Sequence, residues 1–184
     1  MRVISGTYKG RSLQPVPHKL TRPTTDKVKE ALFHMIGPYF DGGIGLDLFA
    51  GSGGLGIEGL SRGMERVIFV DKHPKAISAI YENVKSLNVE DQVEVFRNDA
   101  FRALKAASKR GLQFSYIFLD PPYEKVSFED LFESIHSYNL LTDDGMVICE
   151  HSADQSLPEE IGEFTQLRTE TYSSIITISL YQYQ

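Results

Sequence analysis

Apolar residues recur along the chain with two spacings, one typical of an amphipathic helix and one typical of a buried strand. The first helix is predicted to begin after Thr24 or Thr25, either of which can cap it, and to end at Gly37-Pro38. Its apolar stripe, with the helical spacing, consists of Val28, Ala31, Leu32, Met35 and Ile36. The next 110 or so residues then alternate between strand and helix, as a roughly regular series.

Five apolar strands are predicted, at residues 44–49, 66–70, 92–96, 116–119 and 146–149. The intervening segments have helical periodicity, with Pro74 suited to a first helical turn and a capping-box pattern at residues 127–130. Asp144-Gly145 is predicted to be the turn that leads into the fifth strand. Such an alternation predicts an α/β fold with a doubly wound, mostly parallel, Rossmann-like sheet. Ligands of these sheets bind beyond the carboxyl ends of the strands.

The two ends of the chain depart from the alternation. Residues 2–5 and 11–13 are predicted to form a short β-hairpin, and residues 165–172 and 175–183 an antiparallel hairpin. The length of 184 residues suits one domain, with residues 1–20 as a basic hairpin or arm and residues 21–184 as the core. We expect a monomer.

Charge is distributed unevenly along the chain. The net charge is −6, but the first 30 residues carry seven basic and two acidic side chains, a net charge of +5, so the remainder carries −11. A basic segment on an acidic body is typical of nucleic-acid contact, although a solubilised terminus has the same composition. No apolar run is long enough for a membrane span, and the single cysteine, Cys149, excludes an internal disulfide and is predicted to lie in the core. A cytoplasmic protein is expected.

A glycine-rich loop follows the first strand. Gly51, Gly53 and Gly56 match G-x-G-x-x-G, and Asp71 ends the second strand twenty residues after the first glycine. This pattern is typical of binding a nucleoside group, with the backbone close to the ligand and the acid on the ribose hydroxyls. Taken alone, it fits NAD as well as S-adenosylmethionine.

Asp47, four residues before the loop, favours the second cofactor. Its carboxylate would repel a pyrophosphate but attract the ammonium and sulfonium groups of S-adenosylmethionine. Asp99 is placed after the third strand to accept a hydrogen bond from the adenine amine. Phe49, Ala50, Ser52, Lys72 and Ala100 adjoin these positions and complete the predicted cofactor site. No metal site is predicted.

The fourth strand ends at Asp120-Pro121-Pro122-Tyr123. The amine of a nucleobase is a poor nucleophile, and two acceptors, the Asp120 carboxylate and the Pro121 carbonyl, can orient it and stabilise its developing positive charge. The two prolines stiffen this corner, and Tyr123 offers a ring on which the base can stack. We expect Asp120 to act as an acceptor rather than a strong base, because an exposed aspartate has a pKa near 4. A base inside a helix is out of reach, so the target must be unpaired or flipped.

The chain resembles the bacterial 16S ribosomal RNA guanine-N2 methyltransferases of the RsmD type, which modify guanine 966. The resemblance lies in residues 2–6, 10–11, 22–33, 47–53, 60–63 and 120–123, with Arg22-Pro23-Thr24 as its most specific part. It implies a class I methyltransferase fold with a seven-stranded sheet, and it implies that Arg22 and Thr24 lie near the cofactor or target base. It also implies that the hairpin binds RNA, with Arg2, Lys9, Arg11, Lys19 and Arg22 as the predicted contacts. The expected partner is 16S ribosomal RNA, within a 30S subunit or an assembly intermediate.

Three alternatives remain at this point. An adenine-N6 nucleic-acid methyltransferase would use the same residues 120–123. An NAD-dependent oxidoreductase would use the same glycine loop. A non-catalytic RNA-binding relative would use neither of these motifs for catalysis. Because basic residues are concentrated near the start of the chain, we expect deletion of residues 1–20 to abolish RNA methylation and to spare cofactor binding.

Overall fold

The computed structural model describes residues 1–17, 24–122 and 125–184. Lys19, Arg22 and Tyr123, three of the predicted site residues, lie outside these ranges. The helices are α1 (Asp26–Ile36), α2 (Gly54–Ser61), α3 (Pro74–Ser86), α4 (Ala100–Lys109) and α5 (Phe128–Ser137), and a short 3-10 helix spans Glu90–Gln92. The strands are β1 (Ile44–Leu48), β2 (Arg66–Asp71), β3 (Val93–Arg97), β4 (Phe114–Leu119), β5 (Leu141–Ser152), β6 (Glu160–Ile161), β7 (Phe164–Tyr172) and β8 (Ile176–Tyr183).

Local sequence signals explain where several helices begin. The Thr25 hydroxyl accepts a hydrogen bond from the Val28 N–H and caps α1. Pro74 occupies the first turn of α3, and the Ser127 hydroxyl accepts from the Asp130 N–H to cap α5. These caps satisfy backbone donors that a helix start leaves without a partner, so the predicted starts are confirmed.

The described strands form one sheet in the order β3-β2-β1-β4-β5-β8-β7-β6. The first five strands in this order are parallel. The remaining strands, β8, β7 and β6, are each antiparallel to the neighbour before them in the order. The strand order reverses between β1 and β4, which is the switch point at which such sheets bind ligands. The doubly wound sheet and the antiparallel hairpin of β7 and β8 are confirmed. The resemblance implied seven strands, and the described sheet has an eighth, the two-residue β6 at its edge.

The start of β5 also differs from the prediction. Asp144-Gly145 lies inside the strand rather than in a turn before it. The neighbours of Phe114 and Tyr116 on β5 are Leu141 and Met146, so β5 bulges outward between those two positions. A bulge uses the same flexible residues as a turn, which is why the sequence pattern did not separate the two.

Two apolar cores lie on opposite faces of the sheet. One is covered by α4 and α5 and includes Cys149, which is fully buried as predicted, and burial raises the pKa of its thiol well above the usual value. The other is covered by α1, α2 and α3. Val3 and Leu13, from the first residues of the chain, belong to this second core and are nearly fully buried.

The N-terminal segment, residues 1–17, is therefore part of the folded body rather than a separate arm. It contains one antiparallel bridge, Arg2 to Ser12, so the predicted hairpin is present but very short. The Gly6 backbone passes so close to α2 that an added Cβ would lie 1.9 Å from the Ser61 carbonyl oxygen. Its φ of +91° is a second reason for glycine at this position.

A buried charge cluster attaches this segment to the body. Glu58 in α2 is fully buried, and its two carboxylate oxygens accept hydrogen bonds from the backbone N–H groups of Ile4 and Ser5 at 2.9 and 3.1 Å. The same carboxylate pairs with Arg62 at 2.7 Å and with Lys29 at 3.6 Å. Lys29 in turn donates to the Arg2 carbonyl at 2.6 Å. Buried charges need partners of this kind, so these backbone groups complete the cluster.

Candidate active site

The glycine loop begins where β1 ends. Phe49 has a positive φ of 61°, which is unusual for a residue other than glycine, and the Ala50 N–H donates to the Val70 carbonyl on the adjacent strand. Gly51 also has a positive φ, and a Cβ added there would meet no atom within 4 Å. The loop therefore turns sharply at the switch point and leaves space beside the Gly51 backbone for a ligand.

The third glycine of the motif has a packing role. A Cβ added at Gly56 would lie 2.4 Å from the Phe69 ring and 2.8 Å from Val67, both on β2. Only glycine lets α2 approach the sheet this closely, as in other nucleoside-binding loops.

Asp71, at the carboxyl end of β2, contacts the loop directly. One of its carboxylate oxygens accepts the Gly51 N–H at 2.9 Å, and the other accepts the His73 N–H at 2.9 Å. The side chain is partly exposed. The carboxylate thus fixes the loop from the carboxyl end of β2, the position predicted for the ribose acceptor.

Asp47, on β1, is buried beneath the same loop. Its Oδ2 accepts the Gly56 N–H at 2.9 Å, so the carboxyl lies at the N-terminus of α2. Burial, followed by the charges of Asp71 and Glu150, raises the pKa of Asp47 to about 8. A dinucleotide fold places its pyrophosphate at this helix end, but here an acid occupies that position. The Gly56 N–H is taken by Asp47 and does not face a pyrophosphate, which argues against the NAD-dependent alternative.

Three further predicted cofactor residues lie at the carboxyl ends of the neighbouring strands. Asp99 caps α4, with one oxygen accepting from the N–H groups of Phe101 and Arg102, and its side chain is exposed. Lys72 is exposed, whereas Ala100 is mostly buried in the first core. The capping role of Asp99 uses one of its oxygens, and the adenine contact was predicted for the same carboxylate.

The loop is also held from below by the N-terminal segment. Asn83 in α3 donates to the carbonyls of Ser52 and Gln14, both at 3.0 Å, and its side-chain oxygen accepts the Gln14 N–H at 2.6 Å. The Ser52 hydroxyl contacts the Met1 sulfur at 3.5 Å. Residues 1–14 and the cofactor loop therefore share one supporting side chain.

Asp120 and Pro121 follow β4 directly, next to β1 in the sheet. Asp120 is half-buried, and its desolvation, together with the negative charges of Glu150 and Asp47, raises the pKa of this carboxyl well above its usual value. The expectation of an ordinary aspartate pKa near 4 was therefore wrong. Enclosure by two other acids makes Asp120 a better proton acceptor than an exposed aspartate.

Sequence reasoning missed Glu150, which belongs to this group. It lies on β5 with only 3% of its surface exposed, and Leu119 and Cys149 are paired in register, so Asp120 and Glu150 follow side by side. The Thr24 hydroxyl donates to Glu150 Oε2 at 2.8 Å, which brings the residue before the α1 cap into the site. A glutamate directly after the apolar run 146–149 was the available signal.

These residues fit S-adenosylmethionine by their chemistry. The carboxyl ends of β1, β2 and β4 supply Asp47, Asp71 and Asp120 around an open glycine loop. Carboxylates suit an ammonium, a sulfonium and ribose hydroxyls, and they oppose a phosphate. Asp47, Gly51, Asp71 and Asp99 are the residues that would hold the cofactor. Within the described ranges, no group of three or more His, Cys, Asp or Glu side chains could hold a metal ion.

The pKa of Asp47 predicts how cofactor binding depends on pH. In the free protein this carboxyl is protonated below about pH 8, whereas a cationic ligand favours its ionised form. Binding at neutral pH should therefore release a proton, and affinity should rise with pH until the pH passes that pKa. Isothermal titration with S-adenosylmethionine in two buffers of different ionisation enthalpy measures the proton release.

Asp47→Asn is the matched variant for this measurement. It keeps an oxygen to accept the Gly56 N–H but has no proton to lose, so the release should disappear and affinity should fall. Equal proton release by the variant and the wild type would show that another group is responsible.

Of the predicted RNA contacts that the structure describes, two are bound to other protein groups and one is exposed. Arg2 forms an exposed ion pair with Asp26 at 2.8 Å, and Arg11 donates to the Ser86 carbonyl at 2.7 Å. Lys9 is exposed. Arg2 and Arg11 thus also help to hold the N-terminal segment on α1 and α3. No helix in the described part of the chain has the length and apolar character needed to cross a membrane.

Comparison with known proteins agrees with this geometry. The "Putative rRNA methyltransferase YlbH" of Bacillus subtilis is 56% identical over 94% of both chains. Ribosomal RNA small subunit methyltransferase D of Haemophilus influenzae is 32% identical, over 99% of this chain and 93% of that protein. Among solved structures, the "Putative methyltransferase yhhF from Escherichia coli" superposes with a TM-score of 0.85 at 25% identity. The superposition covers 100% of this chain and 98% of that one.

The fold is that of the class I methyltransferases, with a short additional edge strand. The family model described as "Conserved hypothetical protein 95" matches residues 1–182, and the chain belongs to that family.

Proposed function

We propose that this protein transfers the methyl group of S-adenosylmethionine to the exocyclic N2 amine of a guanine in 16S ribosomal RNA. The observation that carries the proposal is the placement of Asp120 and Pro121 at the carboxyl end of β4, beside the glycine loop and the buried Asp47. The relatives named as ribosomal RNA methyltransferases support the substrate class. The choice of guanine N2 rests on the resemblance of the sequence motifs.

The corner residues prepare the amine for attack. The carboxylate of Asp120 accepts one N–H of the amine and the Pro121 carbonyl accepts the other, so the nitrogen lone pair points at the methyl group. Both acceptors also stabilise the positive charge that develops on nitrogen. S-adenosylmethionine supplies an electrophilic methyl group on a sulfonium.

Two further parts of the site complete this assignment. Tyr123 is proposed to stack on the flipped guanine. The substrate is proposed to be a 30S subunit or an assembly intermediate, bound by a monomer in the cytoplasm. Lys9, which is exposed, is proposed to supply phosphate contacts together with Arg2, Arg11, Lys19 and Arg22.

The test is a nucleoside analysis of 16S ribosomal RNA from a strain that lacks this gene. Mass spectrometry should show the loss of one N2-methylguanosine and its return when the wild-type gene is restored. Loss of an N6-methyladenosine instead would assign the corner to adenine, and an unchanged set of nucleosides would refute the proposal. Purified protein with 30S subunits or with bare RNA then identifies which of them accepts the methyl group.

A further inference from the structure

Asp120 and Glu150 form a pair of carboxyl groups at the carboxyl ends of two adjacent parallel strands. The register pairs Leu119 with Cys149, so the next residue on each strand is an acid. Both side chains are desolvated, and the negative charge of Glu150 acts on Asp120. Two carboxylates on adjacent strands in a low-dielectric setting raise each other's affinity for a first proton.

The surroundings of the pair hold it in place. Glu150 is nearly inaccessible to solvent, and its Oε2 accepts a hydrogen bond from the Thr24 hydroxyl, with 2.8 Å between the two oxygens. The titratable groups that face Asp120 from neighbouring strands are Glu150 on β5 and Asp47 on β1, among the described residues. None of the ion pairs found among those residues includes any of these three acids.

We infer that Glu150 is a positioning residue for methyl transfer: its carboxylate, beside that of Asp120, favours uptake by Asp120 of the proton that the amine loses. This inference rests on the proposed function. The amine lone pair forms the bond to the methyl carbon, and the carbon–sulfur bond breaks with its electrons remaining on sulfur. The surplus proton on nitrogen moves to the Asp120 carboxylate, the pair then holds that one proton, and the proton leaves to water.

Glu150→Gln is the principal test. The negative charge of Glu150 raises the pKa of Asp120, so its removal lowers that pKa and weakens Asp120 as a proton acceptor. We expect kcat for methylation of the RNA substrate to fall by about 10–100-fold. The acidic limb of the kcat–pH profile should move to lower pH by about one unit or more, and KM for S-adenosylmethionine should change little.

Two matched variants separate this role from a structural one. Glu150→Asp keeps the charge and should recover part of kcat and the wild-type pH profile. Glu133→Gln removes the same group from the exposed face of α5 and should change neither. At the other end of the hydrogen bond, Thr24→Val should lower kcat more than Thr24→Ser, which keeps the hydroxyl.

A measurement on the ligand-free protein tests the pair without any reaction. The ¹³C signals of labelled carboxyl groups report the protonation of Asp120, whose titration midpoint should drop in Glu150→Gln by about one pH unit or more. If Glu150→Gln does not fold, Glu150→Asp and Thr24→Val still give both readouts.

An unchanged pH profile together with an unchanged Asp120 midpoint in Glu150→Gln would overturn the inference. A loss of kcat without either shift would also overturn it, since that result indicates a purely structural residue. Failure of the proposed function gives a different result, because the wild type would then not methylate the RNA while the carboxyl titrations would still show the coupled pair.

Discussion

Asp120→Ala is expected to lower kcat for methyl transfer by about 10³-fold and to leave S-adenosylmethionine bound. Alanine removes the acceptor that orients the amine, the group that stabilises its developing charge and the group that takes its proton. Removal of a single preorganised hydrogen-bonding group of this kind costs about 10²–10³ in kcat, and here proton transfer is lost as well. Incorporation of a labelled methyl group into ribosomal RNA measures the rate, and titration with S-adenosylmethionine measures binding.

Asp120→Asn is the informative companion of this variant. It keeps an oxygen to accept one N–H but has no basicity, so its kcat should lie between those of Asp120→Ala and the wild type. The neutral side chain also removes one of three mutually repelling acids, so the thermal unfolding temperature should rise rather than fall. An Asp120→Ala protein as fast as the wild type would exclude Asp120 from the chemistry.

Deletion of residues 1–13 is expected to destabilise the whole domain, not merely to weaken RNA binding. The deletion removes Val3 and Leu13 from the second core and exposes Glu58 and Lys29, which lose the backbone groups of residues 2, 4 and 5. Glu58 keeps Arg62 and Lys29 as partners, but each lost hydrogen bond to a charged group costs about 1.5–3 kcal/mol, and the lost apolar contacts add to that cost. In a domain of this size we expect the unfolding temperature to fall by about 10 °C or more.

Cofactor binding should fall with it, because the deletion removes the Met1 contact with Ser52 and leaves Gln14, the partner of Asn83 beside the glycine loop, at a chain end. This replaces the expectation that deletion of residues 1–20 spares cofactor binding. Glu58→Ala should reproduce the loss of stability by itself, while Glu65→Ala, at an exposed position, should not. A truncated protein with wild-type stability that bound S-adenosylmethionine normally would show that the segment is a dispensable arm after all.

Much of this structure could be predicted because its signals are local. Helix starts depend on side chains a few residues away, as with Thr25 and Ser127, and parallel strands appear as short apolar runs. The glycine loop and the Asp120 corner were recognised because each lies within one continuous stretch of sequence. Their placement at strand ends then followed from the fold class alone.

The features that were missed depend on contacts distant in sequence. Glu58 looks like an ordinary helix residue until the chain returns Ile4 and Ser5 to it, and Glu150 gains its role only from the register of β5 against β4. The raised pKa of Asp120 likewise comes from acids on two other strands. No pattern in composition or periodicity reports such pairings.

The position of β8 in the sheet has a consequence for how the protein folds during synthesis. This strand follows all the others in chain order, yet it lies inside the sheet, between β5 and β7. Until residues 176–183 leave the ribosome, the edge of β5 has no partner on that side and stands open to pairing with other chains. Non-local pairing of this kind slows folding. A nascent chain whose cofactor loop has already formed would therefore remain prone to aggregation until β8 is inserted between β5 and β7.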